Sequence, residues 1–136
     1  METRYSISNQ RKRLFQYIED FYGTEPEYLW AKYPTYAVFR HSASRKWFAA
    51  VMELQKSRLG LSGSGCVDVL NVKCDSVLIG SLLAEEGFLP AYHMNKNTWI
   101  SVLLDETVPD ERILPLLEWS YDAVAPKGKR RKQEQI

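Results

Sequence analysis

The sequence predicts an α+β fold in which an antiparallel sheet of four or slightly more strands packs on helices. Apolar residues recur at helical spacing near both ends of the chain and once in the middle, whereas alternating, β-rich runs occupy the stretches between. Short links between successive strand-like runs favour antiparallel neighbours in a meander. The chain has 136 residues, of which 45% are hydrophobic, so it has the length of one domain and can form a core.

The first two helices are predicted from their caps. Ser8 can cap a helix that runs to about Tyr22, and Gly23 suits its end. The next stretch, Thr24-Glu-Pro-Glu27, has the form of a capping box with proline in the first turn. It predicts a second, short helix that ends before Pro34.

Three strand-like runs follow, over Thr35–His41, Lys46–Lys56 and Cys66–Cys74. The link Ser42–Arg45 is short enough for a hairpin between the first two runs. The glycine-rich segment Gly60–Gly65 predicts a flexible loop between the second and the third.

The second half of the chain repeats this alternation. Asp75 can cap a helix that ends at Gly87, and a fourth strand is predicted over Thr98–Leu104. The last helix is predicted to start near Pro109 and to stop at Pro126.

The distribution of charge separates the end of the chain from the rest. Residues 127–136 hold five Lys or Arg and one Glu without apolar periodicity, and we expect a disordered basic tail there after a single domain over residues 1–126. The remaining 13 bases and 16 acids leave a body with a net charge of −3. A nucleic-acid surface would therefore have to be a local basic patch or the tail itself, because phosphate affinity comes mainly from clustered cations.

The cellular setting is predicted from what the sequence lacks. It contains no apolar run of about 18 residues for a membrane helix and no secretory signal, so we expect a cytoplasmic protein that does not enter the membrane. Cys66 and Cys74 are separated by roughly 26 Å on one straight strand, so we expect two reduced thiols. No nucleotide-loop, nucleophile-elbow or zinc motif is present, and no cofactor is expected.

Several short segments carry a family resemblance over about residues 12–126. They are Tyr22–Pro34, Ala37–His41, Lys46-Trp47, Asp68–Asp75, Pro90–Lys96, Trp99–Leu104 and Ser120-Tyr121. Together they resemble the MmcQ/YjbR-like family of small bacterial proteins, and His93-Met-Asn-Lys96 followed by Trp99 is the most specific part. The resemblance implies an antiparallel sheet packed on helices, similar to type III secretion chaperones and to the double wing of a phage transcription factor. Members are often labelled DNA-binding, which makes DNA an expected partner, although a shared fold does not establish function.

Alternation along the third and fourth strands predicts one mixed sheet face. Asn71 and Lys73 share a side of the third strand, and Trp99 and Ser101 share a side of the fourth. An indole, a cation and amides on one surface could stack on, attract and hydrogen-bond a ligand. The alternative is that Trp99 fills the core and Lys73 extends along its edge to solvent. The candidate ligand-binding residues are Arg40, Lys46, Trp47, Asn71, Lys73, His93, Asn95, Lys96 and Trp99.

Two further clusters could have either a functional or an ordinary structural role. Tryptophan and basic residues occur together around the first hairpin, in a set of Trp30, Lys32, Arg40, Lys46 and Trp47. Arg40, Arg45 and Lys46 could form a basic wing that contacts phosphates, or they could belong to a solvated turn. His93 has Asn95 and Lys96 nearby but no carboxylate to orient it, so a structural role is favoured over catalysis and no metal site is expected.

Three functions remain open from the sequence. A nucleic-acid-binding module, with DNA as partner, ranks first. A domain that binds an unidentified protein or small ligand in an apolar groove ranks second. An enzyme acting through His93 and Lys96 ranks last, because it would need a convergent pocket.

Overall fold

A five-stranded antiparallel sheet with helices on one side forms the fold. The structure, a computed structural model, describes residues 8–127. The elements in chain order are α1 (Asn9–Tyr22), β1 (Ala37–Arg40), β2 (Trp47–Gln55), a 3₁₀-helix (Lys56–Leu59), β3 (Cys66–Lys73), α2 (Ser76–Leu82), β4 (Phe88–Pro90), β5 (Trp99–Leu103) and α3 (Asp110–Ala123). Apart from Lys127, the predicted basic tail lies outside the described residues.

The sheet has the strand order β1-β2-β3-β5-β4, and every neighbouring pair is antiparallel. This confirms the predicted α+β class, with one strand more than the four that were recognised. The additional strand, β4, has three residues and ends in Pro90, so it carries no alternating run that sequence analysis could detect. Pro90 has no backbone N–H to donate to a neighbouring strand. A strand at the sheet edge tolerates this because it has a neighbour on one side only.

One face of the sheet is apolar and packs on all three helices. Ile100, Val102 and Leu104 lie in this core, as the alternation along the fourth predicted strand indicated. The helices contribute Leu14, Ile18, Ile79, Leu82, Ile113 and Leu117. The opposite face is covered by loop residues instead, and we call it the loop face.

The short helix predicted after α1 is wrong. The backbone of Glu27 forms an isolated antiparallel bridge with Val38, through two N–H···O hydrogen bonds of 2.9 Å. Thr24 donates its hydroxyl to the carbonyl of Arg40 at 3.2 Å, and the Glu27 carboxylate binds Arg40 and Arg45. The residues that resembled a capping box therefore satisfy the edge of β1 and the following hairpin rather than a helix end.

The predicted N-caps of α1 and α2 and the predicted C-terminal end of α1 are confirmed, whereas the predicted end of α2 at Gly87 is wrong. Ser8 caps α1 by accepting from the amide of Arg11, and Gly23 closes it with a φ of 67°. Asp75 caps α2 by accepting from Val77, but this helix ends at Leu82, five residues before Gly87. No helix within residues 8–127 combines the length and the apolar character that crossing a bilayer requires.

A buried ion pair joins α1 to the sheet. The guanidinium of Arg11 lies 3.1 Å from the carboxylate of Asp68 on β3, and their side chains are only 5% and 2% exposed. Arg11 also donates to the carbonyl of Thr35 at 2.7 Å, and the backbone amide of Ser8 donates to Asp68 at 3.3 Å. Removing either charge would leave the other buried without its partner.

We predict that Arg11→Met lowers the free energy of unfolding by about 3–5 kcal/mol, because the buried carboxylate of Asp68 loses its guanidinium partner. The double variant Arg11→Met/Asp68→Leu should recover most of this loss. Urea unfolding followed by circular dichroism measures both, with Lys12→Met on the exposed side of α1 as the control. A single-variant loss below about 1 kcal/mol, typical of an exposed pair, would contradict the prediction.

Candidate ligand-binding site on the loop face

Four residues of the loop face form a row across adjacent strands, which we call the cation–indole row: Arg40, Trp47, Lys73 and Trp99. Arg40 pairs with Trp47 between β1 and β2, and Lys73 pairs with Trp99 between β3 and β5. The Lys73 Nζ atom lies 5.8 Å from the centre of the Trp99 ring. All four side chains are half-buried. Trp99 and Lys73 thus share one side of the sheet, as predicted, because cross-strand partners always point to the same face.

A local irregularity places Trp47 in this row. The pairing of β1 with β2 shifts register next to Phe39, so that Phe48 has no partner of its own. Phe48 packs in the helix-facing core, whereas Trp47 packs on the loop face. A bulge of this kind turns two consecutive side chains away from simple alternation.

A buried polar link holds the loop before β5 against the sheet. Ser101 donates its hydroxyl to the amide oxygen of Asn71 at 2.5 Å and accepts the backbone N–H of Tyr92 at 3.0 Å. Asn71 also places its amide nitrogen 3.8 Å from the sulfur of Met52. Neither Asn71 nor Ser101 has any exposed surface. Asn71, a candidate ligand contact, is therefore engaged in positioning Tyr92.

An aromatic groove of about 480 Å³ lies between two loops on this face. The segment before β1 supplies Trp30, Tyr33 and Tyr36 to one wall, and the segment before β5 supplies Tyr92 to the other. Trp47 forms part of the floor and meets Trp30 nearly edge to face, with ring centres 5.8 Å apart. The groove and the cation–indole row thus share Trp47 and form one continuous surface.

The sequence matches a known protein family. The family model described as YjbR matches residues 19–123. The chain belongs to the YjbR family. The resemblance drawn from short sequence segments is thereby confirmed.

Relatives of this YjbR-family chain agree on fold. It is 41% identical over 111 residues to the uncharacterized protein YyaQ of Bacillus subtilis, covering 82% of this chain and 94% of the relative. A crystal structure of a Pseudomonas syringae protein superposes with a TM-score of 0.82 at 40% identity, covering 85% of this chain and 98% of that one. A DUF419-domain protein of Deinococcus radiodurans, with a TM-score of 0.65 at 22% identity over 94% and 85% of the two chains, shows the fold alone.

His93 lies at the groove of the YjbR-family chain. It is exposed and adopts a φ of 61°, a left-handed conformation that few residues other than glycine occupy. Its ring contacts Tyr92, with ring centres 4.2 Å apart. Asn95 accepts the backbone N–H of Asn97 at 2.8 Å and thereby stabilises the turn into β5. Lys96 lines an adjoining hollow beside Pro90, which shares Arg58 and Tyr92 with the groove.

The hairpin that was predicted as a basic wing binds a carboxylate of the same chain, which neutralises part of the positive charge of the hairpin. Arg40 and Arg45 donate to the two carboxylate oxygens of Glu27, at 3.1 and 3.3 Å. Lys46 is exposed at the start of β2. Two of the cations of this turn are therefore engaged within the protein, and Lys46 remains on the surface.

The turn itself is built on His41. The ring is buried, and its Nδ1 atom accepts the backbone N–H groups of Ala43 and Ser44 at 3.0 and 3.3 Å. Burial lowers the pKa of His41, since the charged imidazolium would be desolvated. An accepting Nδ1 requires the neutral ring, so His41 acts as a structural residue of the hairpin.

Most residues of the groove are not among the candidates drawn from the sequence. Those candidates include Trp47 and His93, and Trp30 belongs to the hairpin set, but they omit Tyr33, Tyr36, Met52, Arg58 and Tyr92. A usable signal is present, because the segment from Tyr28 to Tyr36 holds four aromatic residues in nine positions. The first part of this segment was predicted to be a short helix, whereas the structure lays the segment beside the sheet as a groove wall.

We predict that Ser101→Ala lowers the free energy of unfolding by about 1–3 kcal/mol, because the Asn71 amide and the Tyr92 N–H lose their shared partner in a buried site. Chemical denaturation measures the loss. Ser81→Ala, an exposed serine on α2, is the matched control and should change stability by no more than about 0.5 kcal/mol. Equal effects of the two substitutions would show that the link does not hold the loop.

Proposed function

We propose that this YjbR-family chain is a binding module that takes a small ligand with a planar apolar group in the aromatic groove. The observation that carries this proposal is the groove itself. Its volume of about 480 Å³ falls within the range of roughly 300–1,000 Å³ that is usual for small-molecule sites. Its walls come from two loops held by different hydrogen bonds, the Glu27 bridge and the Ser101 link.

The side chains of the groove suit a planar ligand. Each favourable contact between aromatic rings contributes about 0.5–1.5 kcal/mol beyond the burial of apolar area. Trp30 already contacts Trp47 and Tyr36, at ring-centre distances of 5.8 and 5.9 Å, which limits the side-chain freedom that ligand binding would have to remove. Met52 adds a polarizable surface at the floor.

Binding without catalysis is part of the proposal. His93 contacts the ring of Tyr92, whereas a general acid or base needs a partner that orients its proton. Within residues 8–127, no cluster of three or more His, Cys, Asp or Glu side chains is arranged to hold a metal ion. The side chains that line the groove can contact a ligand and orient it.

We predict that indole, used as a neutral planar probe, shifts the backbone amide resonances of Tyr36, Met52 and Tyr92 in a two-dimensional NMR titration. Trp47→Leu should weaken this binding about tenfold, the equivalent of about 1.4 kcal/mol, because the floor loses its ring. Phe21→Ala removes an aromatic side chain that is 64% exposed on α1 and serves as the control. Shifts confined to the helices, or an unchanged affinity in Trp47→Leu, would contradict the proposal.

Nucleic acid is the second candidate ligand, and the cation–indole row is the observation that favours it. Strands lie about 4.8 Å apart, so the four residues span roughly 14 Å on a continuation of the groove. Unpaired bases stack on aromatic rings while cations attract the backbone, which favours single-stranded over duplex DNA. The pairing of Arg40 with Glu27 and the net negative body rank this candidate below the small ligand.

If the row binds single strands, a fluorescent oligothymidylate should gain anisotropy at about 50 mM salt and lose most of it at about 200 mM. Lys73→Gln should lower the slope of log affinity against log salt by about one, since one phosphate contact is lost. Lys12→Gln, on α1, is the control. The absence of an anisotropy change at low salt would remove nucleic acid as a ligand and leave the groove proposal intact.

A further inference from the structure

One guanidinium lines the aromatic groove. Arg58 belongs to the 3₁₀-helix that follows β2, and its side chain is exposed. It lines the groove together with Tyr92 of one wall and with Tyr33 and Tyr36 of the other. A hydrogen bond with the Tyr92 side chain raises the pKa of Arg58. A permanent positive charge therefore lies at the groove.

Resting on the proposed function, we infer that the groove selects planar ligands that carry a negative charge, with Arg58 binding the anionic group. The ring of the ligand would lie between the aromatic walls, and its carboxylate or phosphate would face the guanidinium. Such a ligand matches the aromatic side chains of the groove and the guanidinium of Arg58.

Arg58 differs from the two guanidinium groups of the hairpin in having no carboxylate partner among the described residues. Arg40 and Arg45 both direct N–H groups at Glu27. Within residues 8–127, Arg58 forms no ion pair, and its contact with Tyr92 engages a neutral hydroxyl. A guanidinium has five N–H donors in a planar fork that matches a carboxylate, so several remain for a ligand.

Glu53 also lines the groove and would favour the opposite charge, a cation held among aromatic rings. Its position argues against that role. The carboxyl group is half-buried, accepts the hydroxyl of Thr35 at 3.4 Å and interacts with the buried Arg11–Asp68 pair. Burial and the charge of Asp68 raise the pKa of Glu53. Because Glu53 is engaged within the protein, Arg58 is the more exposed of the two charged groups at the groove.

Three probes that share one ring separate the contribution of charge from that of shape. Indole-3-acetate, indole-3-acetamide and tryptamine carry a negative, a neutral and a positive side group. NMR titration of the complete chain should show indole-3-acetate binding about tenfold more tightly than the other two, as one charge-assisted hydrogen bond provides. Arg58→Gln should reduce its affinity to that of the acetamide, Arg58→Lys should restore part of it, and Lys12→Gln should have no effect.

Each of the other possible outcomes contradicts a different part of the proposal. Equal affinity for the three probes would overturn the selection by charge while leaving the groove as the site. Tightest binding of tryptamine would overturn it in favour of Glu53. If none of the probes shifts the groove resonances of the unaltered chain, the proposed function fails together with this inference.

Discussion

The hydrogen-bonded link from Asn71 through Ser101 to the backbone of Tyr92 is the interaction on which the loop face depends. It is buried, and it joins two strands and a loop at one point. The same register that pairs Asn71 with Ser101 pairs Lys73 with Trp99. One pairing thus fixes the cation–indole row and, through Tyr92, one wall of the groove.

The opposite wall depends on a second constraint, the bridge between Glu27 and Val38. It extends the backbone hydrogen bonding of the sheet beyond β1 and leads the aromatic segment past the edge strand. The carboxylate of Glu27 then engages Arg40 and Arg45, which ties the hairpin to the same segment. Two cations of the hairpin are therefore paired within the protein, whereas the aromatic side chains of the groove remain available to a ligand.

The faces of β3 and β5 could be predicted from sequence because a strand alternates with a fixed period of two residues. That rule placed Trp99 and Lys73 on one side and the aliphatic residues on the other. The groove could not be predicted in this way, since it depends on the long-range bridge of Glu27, on the bulge at Phe48 and on a loop held by Ser101. Local capping propensity at Thr24–Glu27 gave the wrong answer because hydrogen bonds to the sheet edge outweighed it.

We propose that this YjbR-family chain binds its ligand on the loop face and not on the helical side of the sheet. Intermolecular nuclear Overhauser effects in a complex with indole-3-acetate test it most directly. We expect contacts from the ring protons of the probe to the side chains of Trp47, Met52 and Tyr92. Contacts to α1 or α3, with none to these three residues, would contradict it.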